Sequence, residues 1–73
     1  MSDYVAIYTK SMRDKTVAEL RLQSSLMAYS AAVTAGDETV VIDKYRAEIH
    51  ALTDIILDNL SMIAYCTNKM QGL

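Results

Sequence analysis

The sequence contains no proline, tryptophan or phenylalanine, and Gly36 and Gly72 are its two glycines. Without proline, no residue lacks a backbone N–H or clashes with the preceding turn, so long helices are open to the chain. The single cysteine, Cys66, excludes an internal disulfide. With His50 as the one histidine, no Cys/His zinc spacing exists, and there is no glycine-rich phosphate loop. The longest aliphatic runs, Val40 to Ile42 and Ile55 to Leu57, are three residues each. A membrane span needs roughly 18 apolar residues. The opening Met1-Ser2-Asp3-Tyr4 has neither the basic nor the apolar stretch of a secretory signal. A soluble, cytoplasmic protein is the expectation, and a lone cysteine suits a reducing compartment. A net charge of −2 argues against strong nucleic-acid binding.

What is there is apolar: 52% of 73 residues. A domain of this size buries only about 60% of its unfolded surface and normally needs a disulfide, a metal or a partner. Gly36 follows an alanine-rich stretch, Ala31-Ala32-Val33-Thr34-Ala35, and precedes Asp37-Glu38. Glycine ends a helix by entering the left-handed region without Cβ strain, and Asp37 is a candidate N-cap for the next helix. Residues 35–38 therefore read as a tight turn, and short connections make antiparallel neighbours. The fold class expected is all-α: one domain over residues 1–73, an antiparallel two-helix hairpin. Helices are expected at about 38–70 and 15–35, with a short extra one at 3–13, and the hairpin should join partner chains in a helical bundle.

The strongest pattern lies in the second half. Ile42, Tyr45, Ile49, Leu52, Ile56, Asn59, Ile63, Cys66 and Met70 alternate steps of three and four, a heptad seam. Asn59 either fixes register within that seam or points to water. In the first half, Thr16-Val17-Ala18-Glu19 matches a capping box, so a helix starts or restarts there. Val5, Tyr8 and Met12 form a separate stripe out of phase with Val17. At about 100° per residue, Val17, Leu20, Ser24, Met27 and Ala31 share one face, and Ala18, Leu22, Leu26, Tyr29 and Val33 share the opposite one. Val17, Leu20, Met27 and Ala31 are assigned to the hairpin core. Leu22, Leu26, Tyr29 and Val33 are assigned to a partner, unless residues 3–13 fold back over them.

Charge is uneven, with Lys10, Arg13, Lys15 and Arg21 in the first third and Asp37, Glu38, Asp43, Glu48, Asp54 and Asp58 in the second half. Two solvated faces attracting across the hairpin account for this; the sharper alternative is an anion-binding strip of Lys10, Arg13, Lys15 and Arg21. His50, Asp54 and Asp58 share a helix face, but a carboxylate metal site in a bundle needs Glu-x-x-His pairs on two helices. No metal, cofactor or catalytic residue is assigned. Cys66 is taken as a small hydrophobe. A non-catalytic protein–protein interaction module, binding a protein partner, further copies of itself or both, is the expected function.

Gly36-Asp37, Tyr45, Glu48, Ala51-Leu52 and Ile55-Ile56, with the apolar helical tail, form a pattern that resembles the E-type co-chaperones of type III secretion needle subunits. The resemblance covers about residues 30–65. It implies a helical hairpin in the bacterial cytoplasm that pairs with a tetratricopeptide-type chaperone and keeps a needle subunit from polymerising. Other readings stay open. One is a small phage-type inhibitor of a host defence system, in the host cytoplasm, acting on a protein or as an oligomeric sponge for a cyclic-nucleotide ligand. Another is an RNA-binding dimer of hairpins.

Overall fold

The computed structural model describes residues 3–72. Two α-helices, α1 (Tyr4–Ala35) and α2 (Thr39–Met70), pack antiparallel, and no strand occurs among the described residues. The hairpin is a rod of 53 × 16 × 14 Å. Among the described residues no helix is long and apolar enough to cross a membrane.

At the start of α1, Asp3 is the N-cap, and its carboxylate accepts a hydrogen bond from the Ala6 N–H at 3.0 Å. This satisfies one of the amide donors left orphaned at a helix start. The break expected near residue 14 is absent, so the expected helices at 3–13 and 15–35 are one element. Thr16 is no cap: its hydroxyl donates to the Met12 carbonyl at 3.0 Å, one turn back in the same helix. With no proline or glycine between Tyr4 and Ala35, nothing interrupts the backbone ladder. Residues 3–13 therefore extend α1 and do not fold back over it.

α1 stops where the glycine stands. Gly36 has φ 70 and ψ 35, and its N–H reaches the Val33 carbonyl at 3.1 Å. The Asp37 N–H reaches the Ala32 carbonyl at 3.0 Å. Those two bonds make a Schellman motif. Asp37 thus closes α1 and does not cap α2. The residue before α2 is Glu38, with no side-chain cap bond, and its carbonyl accepts from Val41 and Ile42.

The α2 seam lies against α1. Leu52 and Cys66 are buried, and Ile42, Tyr45, Ile49, Ile56, Asn59 and Ile63 are half-buried. Met70 is an exception at 44% exposure, because it is the last residue of α2 and little of α1 remains beside it. Asn59 is within the seam, yet its amide donates to the Ile55 carbonyl of its own helix at 2.9 Å. That local bond satisfies the polar group without reaching α1.

Candidate protein-interaction surface

α1 meets α2 along a line that hydrophobicity alone does not mark. Its inward residues are Tyr4, Tyr8, Ser11, Lys15, Ala18, Leu22, Ser25, Tyr29 and Ala32, in alternating steps of four and three, all buried or half-buried. Of these, Ser11, Ala18, Ser25 and Ala32 are buried and recur every seven residues. Their small side chains let the larger Ile, Leu and Tyr residues of the α2 seam lie close to the α1 backbone. Lys15 stands in the same line with its side chain 20% exposed, its ammonium 2.7 Å from Glu19. Its aliphatic stem supplies apolar cover while the charge stays paired near water.

The two faces of α1 are therefore partly exchanged relative to the sequence expectation. Val17, Leu20, Met27 and Ala31, expected in the core, are exposed. Leu22 and Tyr29, expected at a partner surface, are half-buried in the hairpin seam. Leu26 and Val33 are exposed, as a partner surface requires. The exchange follows from size: a line of Ser and Ala permits close helix approach, whereas Val17, Leu20 and Met27 would hold the helices apart. A three–four repeat running unbroken from Tyr4 to Ala32 was the available signal, but its serines and lysine score as polar.

The result is an apolar exterior. The buried apolar residues are Ala18, Ala32, Leu52 and Cys66, while most of the large aliphatic side chains stay open to solvent. On α1, Val5, Met12, Leu20, Leu26, Met27 and Val33 are all exposed, from 37% at Met12 to 74% at Met27. At about 100° per residue these six fall within one side of the helix, giving a strip that runs nearly its whole length. Single exposed leucines are normal on protein surfaces; here six large apolar residues lie along one side of one helix, with Thr9, Thr16, Gln23 and Ser30 between them.

Polar contacts between the helices are few and specific. The Ser25 hydroxyl donates to the Glu48 carboxylate at 2.8 Å, and Arg46 reaches the Tyr29 hydroxyl at 3.5 Å. That contact, with the Asp43 carboxylate nearby, pushes the Arg46 guanidinium above its ordinary pKa. At the open end of the hairpin the Tyr4 and Tyr65 rings meet edge to face at 6.1 Å, and Lys69 lies 5.6 Å over the Tyr65 ring. Opposite charges do not pair across the hairpin among the described residues: Lys10–Asp14, Lys15–Glu19 and Asp43–Arg46 each lie within one helix.

The proposed anion strip is dispersed. Lys10 is bound to Asp14 at 2.8 Å, and Lys15 is turned into the seam, away from Arg13 and Arg21. Arg21 borders an open depression with Leu20, Ser24, Ser25 and Glu48. His50, Asp54 and Asp58 are exposed, and no group of three or more metal-ligating side chains forms among the described residues. Cys66 is fully buried in the seam. No protein-family model, curated protein or solved structure matches the chain.

Proposed function

We propose that the chain is a non-catalytic protein–protein interaction module, a rigid hairpin that presents the α1 strip to an apolar surface of another protein chain. The single observation behind this reading is the contrast between a core of small side chains and an outer strip of Val5, Met12, Leu20, Leu26, Met27 and Val33. A Val, Leu or Met side chain gains about 1.5–3 kcal/mol on full burial, so a partner covering the strip collects several such increments. Among the described residues none folds over the strip, because residues 4–35 form one helix.

A co-chaperone role, holding an aggregation-prone helical protein in soluble form, is the form of this function that the resemblance to needle-subunit co-chaperones supports. The residues that carry the resemblance have structural tasks in the hairpin: Gly36 makes the turn, Tyr45 and Leu52 lie in the seam, and Glu48 bonds Ser25. A phosphate-binding role draws less support, since two of its four cations are held by carboxylates of their own helix.

The test is assembly measured beside helicity. Wild-type chain, Leu26→Glu and Met27→Glu are compared by circular dichroism and by the mass of the complexes each forms, alone and with co-purified proteins. Both variants should keep their helix content and lose assembly, because a charge in the middle of an apolar contact stays unpaired. A wild-type chain that is a folded monomer and forms no complex defeats the reading.

A further inference from the structure

The interaction function proposed for the α1 strip fits more than one kind of partner. Resting on it, we infer that the α1 strip is covered by the same strip of a second copy, so that two hairpins join about a twofold axis as a four-helix bundle.

Surface area points to this. The chain exposes 5387 Å² at a mass of 8.1 kDa. A folded monomer of that mass exposes about 4,500 Å², leaving an excess of about 900 Å² on this rod. A standard interface takes about 800 Å² from each partner. The hairpin thus carries, in excess, about the surface that one such interface removes.

Symmetry is the second consideration. A twofold contact places one patch against itself, so the patch must be self-complementary. The strip is apolar towards both ends, with Val5 and Met12 at one and Leu26, Met27 and Val33 at the other, and Leu20 lies between them. Two such strips running antiparallel set apolar ends against apolar ends.

Charge agrees. The remaining strip positions, Thr9, Thr16, Gln23 and Ser30, are neutral, and Glu19 carries its own counter-ion in Lys15 at 2.7 Å. Arg13 is exposed one heptad before Leu20, and in an antiparallel pair centred near residue 19 the two Arg13 positions stand about 12 residues, roughly 18 Å, apart along the axis, beyond the screening length of physiological salt. A partner of opposite charge has nothing to read here, and an identical copy meets no net repulsion.

Analytical ultracentrifugation of the full chain tests the inference. Expected are twice the 8.1 kDa mass at micromolar concentration, a melting temperature that rises with concentration, and a halved mass for Met27→Glu with helicity retained. Leu20→Glu serves as a second variant should Met27→Glu fail to fold. Val40→Glu, at an exposed site on the outer side of α2, should remain a dimer. A dimer broken by Val40→Glu and not by the α1 variants, or a trimer or larger species, overturns the inference. So does a wild-type monomer. If that monomer binds a hydrophobic dye and is stabilised by another protein, the interaction reading survives without the second copy. If it melts cooperatively, binds no dye and is stabilised by nothing, both fall.

Discussion

At the scale of single residues, size decides more than hydrophobicity. Ala18 sits 4% exposed between the helices, whereas Val17 beside it in sequence is 45% exposed. Enlarging the first should be costly and trimming the second should not. Ala18→Leu is expected to destabilise by about 1–3 kcal/mol, the usual cost of overpacking. Val17→Ala should stay within about 0.5 kcal/mol, as surface changes do. Urea titrations at one fixed protein concentration compare them. The opposite ranking would return Val17 to the core and the small line to the surface. Ser25 belongs to the same line and does two things: its size admits α2, and its hydroxyl ties Glu48.

The elements are bounded by local chemistry, and their contacts lock the register. α1 runs uninterrupted because nothing in it breaks a helix, and it ends because Gly36 adopts φ 70. A Cβ built on Gly36 would meet nothing within 4 Å, so a substitution there is penalised through the backbone and not through a clash. Gly36→Ala should therefore lower stability by about 1–2 kcal/mol, the left-handed penalty of an L-residue. Gly36→Asn should lose less, because Asn visits that region more readily. Thermal melts of both variants at equal concentration check the order. Equal losses would mean that some contact, and not the dihedral, sets the requirement.

The whole molecule is a thin rod whose outer surface is rich in aliphatic side chains, while the ion pairs among the described residues each lie within one helix. Such pairs are worth little and are screened by salt. Raising sodium chloride from about 0.1 to 1 M should then shift the melting temperature by only a few degrees, roughly the effect of 0.5 kcal/mol in a domain of this size. Sodium sulfate, which strengthens apolar burial, should raise it. A steep fall in sodium chloride would mean that charge across the hairpin contributes more than Ser25–Glu48 and the seam suggest.

Much of the fold was legible along the chain. The proline-free composition, the turn at Gly36 and the α2 seam from Ile42 to Cys66 are local or periodic properties, and each survives in the hairpin. They are readable because helix formation and termination depend on near neighbours and on a single repeat. The facing side of α1 was not legible in the same way. That choice belongs to the pair of helices: with Ile, Leu and Tyr fixed on α2, close approach is possible only over Ser11, Ala18, Ser25 and Ala32. Hydrophobicity ranked Val17, Leu20 and Met27 as core, but steric fit between two surfaces cannot be summed from one of them. Only the tertiary structure decided which apolar face of α1 turns inward, and so which one stays open to solvent.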